Sequence, residues 1–321
     1  MEDYPRTLAE FERRFATDEA CRAYLVQLRW PEGFRCPKCG HAKAWVARVV
    51  LLHCASCGRQ TSVTAGTIFQ DTRTPLTTWF RAMWWVTSQK TGASAKGLQQ
   101  VLGLGSYETA WTWLHKLRRA MVRPARDRLT GRVEVDQTLV GGVEEGHRRT
   151  EKKALIAVAV EQVGAGMGRV RMRQIADGSA EALRRFVEDA VMPGSVLHTD
   201  GWLSYDHLEK HGYRHRITFA KGAASDPLPR VHRVVSLLKR WLQGTHQGAV
   251  TRAHLDYYFD EFTFRFNRRT SRHRGKLFYR LVQQAVAVDP APYRSIVKNI
   301  RRRPPRRRRR TTTNSGSPRR T

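Results

Sequence analysis

Apolar positions along the chain keep two different periods. In residues 1–30, Leu8, Phe11, Phe15, Cys21, Tyr24, Leu25 and Leu28 recur among charges at helical spacing, which predicts an N-terminal helical segment. Ala44-Trp45-Val46 and Val49-Val50-Leu51-Leu52 read as short strands, and Pro75-Leu76-Thr77-Thr78-Trp79-Phe80 opens a Trp-rich helix to about residue 89. Two helices follow within 93–122. Ala93-Ser94-Ala95-Lys96 begins the first, Gly103-Leu104-Gly105 breaks it, and Ser106 caps a second that carries Ala110, Trp111, Trp113, Leu114 and Leu117. This is the pattern of a helix-turn-helix, and Lys116, Arg118 and Arg119 near its end suit contact with DNA.

From residue 132 the period shortens to two. Val133-Glu134-Val135-Asp136 alternates, Ala154-Leu155-Ile156-Ala157-Val158-Ala159-Val160 is an apolar run fit for a buried strand, and Arg169 to Ile175 alternates again. A helix over about 179–190 precedes a fourth strand, Ser195-Val196-Leu197-His198-Thr199-Asp200. Three strands, a helix and a further strand predict an α/β domain whose sheet is flanked by helices. Helices at about 230–243, 251–267 and 275–287 complete it.

Charge narrows the partners. The chain has 58 Lys and Arg against 28 Asp and Glu, a formal net charge of +30. Residues 301–321 hold ten Arg and no acid, which leaves +20 on the first 300, so the body itself is basic. Such a body repels itself unless a polyanion compensates, and nucleic acid is the first partner to consider. No run approaches the ~20 apolar residues of a membrane span, and the N-terminus lacks the plan of a signal peptide, so a cytoplasmic protein without a membrane partner is expected. The Arg/Pro/Thr/Ser-rich stretch after residue 300 predicts disorder.

The cysteines add a metal. Cys36-Pro-Lys-Cys39-Gly and Cys54-Ala-Ser-Cys57-Gly lie fourteen residues apart, with Cys21 separate. Two residues between sulfurs let both point at one ion, and the following Gly relieves the turn, so Cys36, Cys39, Cys54 and Cys57 are expected to hold a structural Zn²⁺. His41 and His53 stand beside the knuckles, but four thiolates already fill a tetrahedral shell.

Candidate chemistry sits on two acids and one helix face. Asp136 is placed at the end of the first strand and Asp200 at the end of the fourth, with Gly141-Gly142 and Gly201 as strand breakers. Acids at strand ends that face a common crevice can hold Mg²⁺, which prefers oxygen ligands. On the 230–243 helix, His232, Ser236, Lys239 and Gln243 recur at four, three and four residues and share a polar stripe, with Val234, Leu238, Trp241 and Leu242 opposite. Tyr257 and Tyr258 are the remaining formal nucleophiles.

These segments resemble the DDE transposases of bacterial insertion sequences. The likeness runs through Val133-Glu134-Val135-Asp136-Gln137-Thr138-Leu139-Val140-Gly141-Gly142 and His198-Thr199-Asp200-Gly201-Trp202-Leu203-Ser204-Tyr205, continues over 232–248, and closes with Tyr258-Phe259-Asp260-Glu261-Phe262-Thr263-Phe264-Arg265-Phe266-Asn267-Arg268-Arg269. The resemblance covers roughly residues 10–285. It implies a helical segment at 1–30, a zinc ribbon at 31–72, a helix-turn-helix region at 73–124, a ribonuclease-H-like catalytic domain at 130–288 and a basic tail at 289–321. By the same resemblance, Asp136 and Asp200 are the first two catalytic acids and Lys239 the basic residue two helical turns after the third. His232 falls seven before Lys239, where an acid is usual, and Gln137 also stands where an acid is expected. Imidazole suits Mn²⁺ better than Mg²⁺.

The implied activity is cleavage and joining of phosphodiesters at terminal inverted repeats. Two divalent ions (Mg²⁺ or Mn²⁺) about 3.5–4 Å apart would serve it. Double-stranded DNA would be the partner, a homo-oligomer would form on paired ends, and the bacterial nucleoid would be the location. The alternative, which His232 and Gln137 favour, is a non-catalytic zinc-dependent DNA-binding protein derived from such an enzyme. A ribonuclease acting on hybrids fits the fold but not the ribbon and helix pair.

Overall fold

In the computed structural model, residues 2–47, 51–123, 126–141, 153–219 and 226–298 are described. Local capping sets the first helices. Thr7 accepts the Glu10 N–H to start α1 (Leu8–Arg14), and Thr17 accepts the Ala20 N–H to start α2 (Asp18–Arg29), so the segment expected as one helical stretch is two. A three-stranded antiparallel sheet follows: β1 (Ala44–Ala47), β2 (Leu51–Cys54) and β3 (Gln60–Ser62). The third of these strands was not anticipated, since three polar residues carry no alternation. Then come α3 (Leu76–Ser88), α4 (Ala95–Leu102, capped by Ser94) and α5 (Tyr107–Ala120, capped by Ser106). The turn expected at Gly103 is present.

The second half is a mixed five-stranded sheet with helices on both faces. Its strands are β4 (Arg132–Val140), β5 (Ala154–Val163), β6 (Gly166–Gln174), β7 (Val196–Thr199) and β8 (Arg214–Ile217), in the order β6-β5-β4-β7-β8. β4–β5 and β5–β6 are antiparallel, whereas β4–β7 and β7–β8 are parallel. α6 (Ala180–Ala190) covers one face, with Leu183, Phe186 and Val187 against Val133 and Val135. α7 (Pro229–His246) and α8 (Leu255–Phe266) cover the other, with Val231, Val234, Leu238 and Phe259 against Ile156, Val158 and Val160. The α/β plan read from the sequence holds, with β8 as an additional strand. The short sequence Arg214-His215-Arg216-Ile217 hid that edge strand. α9 (Arg274–Ala285) and α10 (Tyr293–Val297) end the described chain, so the stretch expected as a basic tail over 289–321 begins with a short helix; its residues from 299 on and Gly142 lie outside the described residues.

α9 does not stay with the sheet. Leu277, Phe278, Leu281 and Val282 are buried among Phe11, Phe80, Trp84 and Leu117, so one core is built from α1–α5 together with α9. The expected 130–288 unit thus gives its last helix to the N-terminal half. The incoming chain crosses α9 so closely at Gly275 that a Cβ there would lie 1.6 Å from the Pro5 carbonyl oxygen, which leaves glycine as the residue that fits.

The two halves are joined by polar contacts, among them one buried ion pair. Arg118 Nε donates to Glu261 Oε2 at 2.9 Å with both side chains buried, and the guanidinium lies 3.9 Å from the centre of the Tyr258 ring. Arg265 donates to the carbonyls of Val86, Gln89 and Lys90, while Trp241 Nε1 and Thr245 Oγ1 donate to Thr91 O at 2.7 and 2.8 Å. Arg118 therefore faces inward, and the expectation that it contacts DNA is corrected. Of the second helix, Tyr107 and Glu108 at its N-terminus are exposed, while Trp113, Leu114, Leu117 and Arg118 are buried. Tyr257 and Tyr258 are also buried, against His115 of α5, which removes them as nucleophiles.

His246 packs edge-on against Trp241 and Tyr258, with ring centres 4.7 and 4.8 Å apart, and its Nε2 is buried without a hydrogen-bond partner. Burial, helped by the nearby Arg118 charge, lowers its pKa to about 4. The unfolded imidazole titrates near 6.5, so its contribution is present above that pH and is lost as pH falls toward 4. Between pH 7 and 5 this group should cost the protein about 1–2 kcal/mol of stability. Urea midpoints at both pH values for the wild type and His246→Phe check this: the variant loses less on acidification. No described helix is long and apolar enough to cross a membrane.

Candidate active site

The pleat of β4 decides which side chains meet. Asp136 lies in the middle of this strand rather than at its end, because Gln137–Val140 continue the pairing with Ala154–Ala157 of β5. Glu134, Asp136 and Thr138 share the face toward α7, while Val133 and Val135 point toward α6. In the parallel neighbour, Glu134 pairs with His198, so Asp200, two residues on, sits directly after β7 beside Asp136. Asp136 is buried, and its pKa is raised, first by that burial and further by the Asp200 charge; the N–H of Gln137 and His232 partly offset this. Tyr205, fully buried behind the two acids, is held well above its ordinary range by burial and by both carboxylates.

α7 carries the other half of the site, and β4 sets where that helix begins. The residue preceding α7 is Leu228, whose side chain cannot cap. The cap comes from the strand instead: Glu134 Oε2 accepts the N–H groups of Arg230 at 2.8 Å and Val231 at 3.0 Å, and Oε1 accepts from the Arg230 guanidinium at 2.8 Å. This buried carboxylate ties the start of α7 to the strand that bears Asp136. Its role was not read from the sequence, although an acid two residues before Asp136 on one face was a usable signal.

With α7 so placed, His232 Nε2 lies 3.4 Å from Asp136 Oδ2, and His232 Nδ1 is 2.6 Å from Asp226 Oδ1. Lys239 Nζ reaches Thr138 Oγ1 at 3.5 Å, one pleat beyond Asp136. Ser236 and Gln243 lie on the same exposed side of α7, while Val234, Leu238 and Leu242 are buried as expected and Trp241 is half-buried. Gln137 is not part of this group. Its Oε1 accepts from the Tyr205 hydroxyl at 2.5 Å on the opposite face, so the missing acid at 137 bears on Tyr205 and not on the crevice.

The residues present fit a divalent cation. Asp226, a carboxylate, can only accept, so Nδ1 of His232 carries a proton, and Nε2, 3.4 Å from Asp136 Oδ2, is the ring atom that can turn to a cation. Two carboxylates and an imidazole nitrogen are donors that Mn²⁺ and, less readily, Mg²⁺ accept. The arrangement is looser than that of the cysteines. Among the described residues, Cys36, Cys39, Cys54 and Cys57 are the one group of three or more His, Cys, Asp or Glu whose ligand atoms all lie within 4.8 Å of one another.

In the ribbon, the Cys36–Cys57 and Cys39–Cys54 sulfurs are each 3.6 Å apart, close to the edge of a ZnS₄ tetrahedron with ~2.3 Å bonds. The two knuckles repeat one geometry. Gly40 N–H donates to Cys36 O and Gly58 N–H to Cys54 O, both glycines at positive φ. The backbone N–H of Cys39 lowers the Cys36 thiol to about 6 and that of Cys57 lowers Cys54, whereas at Cys39 the N–H of His41 is outweighed by burial and the neighbouring thiols, which raise it to about 11. His53 lies against Trp45, with ring centres 4.5 Å apart, and neither it nor His41 belongs to the cluster. One zinc per chain is expected by elemental analysis. Stripping it with a chelator should unfold β1–β3, because three strands of three or four residues hold no core of their own. Loss of their amide protection, with α3–α5 still protected, is the pattern to look for in hydrogen exchange.

Two neighbouring carboxylates are thus faced by a helix that carries His and Lys, and a Cys₄ ribbon precedes them in the chain. Residues 128–267 match the ISXO2-like transposase domain, and residues 16–60 match the transposase zinc-ribbon domain. The family resemblance read from the sequence is thereby shown, and with it the ribonuclease-H-like fold of the five-stranded sheet. A protein of the transposable element ISH50 of Halobacterium salinarum is 25% identical over 277 residues, which cover 79% of this chain and 92% of that protein. These domains support a transposase role, DNA binding and a structural zinc.

Proposed function

We propose that the chain cuts and joins phosphodiesters at the terminal inverted repeats of an insertion sequence, with Asp136, Asp200 and His232 as ligands of catalytic Mg²⁺ or Mn²⁺ and Lys239 as the catalytic cation. The observation that carries this reading is the convergence of Asp136, Asp200 and His232 Nε2 on one crevice from β4, β7 and α7. Bound divalent ions would supply activation of a water or 3′-hydroxyl and stabilisation of the leaving oxygen.

The protein's own groups have distinct tasks. Asp136 offers a carboxylate oxygen from within β4, and Asp200 offers one from the position just after the neighbouring β7. Lys239, aligned by Thr138, meets the negative charge that develops on the phosphoryl oxygens. Glu134 holds α7 in register so that His232 and Lys239 approach from one side. An imidazole third ligand favours Mn²⁺ over Mg²⁺. We assign end recognition to the zinc ribbon of 31–72 and the helix pair of 73–124, with Tyr107 and Glu108 rather than Arg118 toward the groove. The basic body would hold flanking backbone, and its binding should weaken steeply with salt. The catalytic unit spans 130–288 without α9. Assembly as a homo-oligomer on paired ends within the nucleoid completes the proposal.

A strand-transfer assay tests it, with the DNA flanks of the reading frame as donor, Mg²⁺ or Mn²⁺, and Asp136→Ala as control. Joined products from the wild type alone, greater in Mn²⁺, are expected. Specific end binding with no product in either metal would overturn the catalytic reading and leave a DNA-binding protein derived from a transposase.

A further inference from the structure

We propose that Asp226 is a positioning residue that holds the His232 ring in the one tautomer able to bind a metal, and this inference rests on the reading of His232 as a ligand. Asp226 stands three residues before α7 and makes two contacts. Its Oδ1 accepts the Leu228 N–H at 3.0 Å, which anchors the carboxylate to the helix start, and it lies 2.6 Å from His232 Nδ1. A short contact between a carboxylate and a ring nitrogen fixes the proton on that nitrogen. Free imidazole side chains prefer the proton on Nε2, so without Asp226 the proton would sit on the nitrogen that faces Asp136, and its lone pair would be lost to a metal. The carboxylate also makes the ring more basic as a ligand and prevents its rotation. His232 is about half exposed, with a side chain 46% accessible, so packing alone does not hold its orientation.

The contact further explains how a histidine can serve where a carboxylate is usual. A carboxylate offers an oxygen whichever way it rotates, whereas imidazole needs its proton placed by a partner. Asp226 supplies that partner from six residues earlier. It also brings one negative charge close to the ring, partly replacing the charge lost with the third acid.

The full-length zinc-loaded chain and its Asp226→Ala and Asp226→Asn variants test this, with ¹⁵N-detected NMR of the His232 ring and Mn²⁺ titration followed by electron paramagnetic resonance. Asp226→Ala should move the ring proton from Nδ1 to Nε2 and weaken Mn²⁺ binding by about 10–100-fold. Asp226→Asn, whose amide oxygen still accepts from Nδ1 and from Leu228, should restore the tautomer and most of the affinity. It thereby separates the acceptor that Asp226 supplies from its charge. A wild-type tautomer in Asp226→Ala, or an affinity within twofold of wild type, overturns the inference while leaving the site reading intact. Equal Mn²⁺ binding by the wild type and Asp136→Ala would instead remove the site reading, and the inference with it.

Discussion

Truncating Glu261 to alanine is expected to destabilise the protein by about 3–5 kcal/mol, whereas replacing Arg118 and Glu261 together by Met and Leu should cost little. The asymmetry follows from burial. Each side chain is shielded from water, and the pair is held by one hydrogen bond, with Arg118 Nη2 and Glu261 Oε1 left without one. Removing one partner leaves a charge with no compensation, while removing both removes the desolvation cost as well. Chemical denaturation of the two single variants and the double variant checks the sign and size. The double variant also decides where Arg118 belongs. If it faces Glu261 and not DNA, the Met–Leu protein binds element ends as tightly as the wild type at every salt concentration.

The second large effect concerns chemistry instead of folding. Asp136→Ala should leave end binding within about twofold and lower strand transfer by about a thousandfold or more, equivalent to roughly 4 kcal/mol of barrier. Asp136 is buried at the base of the crevice with a raised pKa, beside a second carboxylate. A carboxylate kept in that setting is unfavourable on its own and becomes favourable when a cation compensates it. Folding should therefore tolerate the substitution, and thermal stability without metal should be unchanged or higher. Gel-shift and joining assays on one preparation distinguish this from unfolding. Transfer that survives the substitution would remove Asp136 from the ligand set.

Features carried by nearby residues were legible in the sequence. The Cys-x-x-Cys-Gly knuckles are built from five consecutive positions each, and Ser94 and Ser106 cap the helices they directly precede. The α/β plan was readable because Ala154 to Val160 is apolar on both faces, as a central strand must be. Asp136 and Asp200 stood out by their place at strand ends and then by resemblance, but the strand was read too short at 136, where polar Gln137 and Thr138 masked a strand sustained by pairing with β5. Contacts between distant positions escaped altogether. Arg118 and Glu261 are separated by 143 positions and Glu134 and Arg230 by 96, and no periodicity records such partners. Asp226 was nearer, but a lone acid before a helix reads as an ordinary cap. Its second contact, to His232, depends on the course of the turn into α7.

The closing of the N-terminal core by α9 has a consequence for how the protein is made. Phe11, Phe80 and Trp84 wait for Phe278, so the core cannot be completed until the ribosome has released nearly the whole catalytic domain. A chain stopped before position 274 would therefore carry an N-terminal half with an open apolar groove, prone to proteolysis.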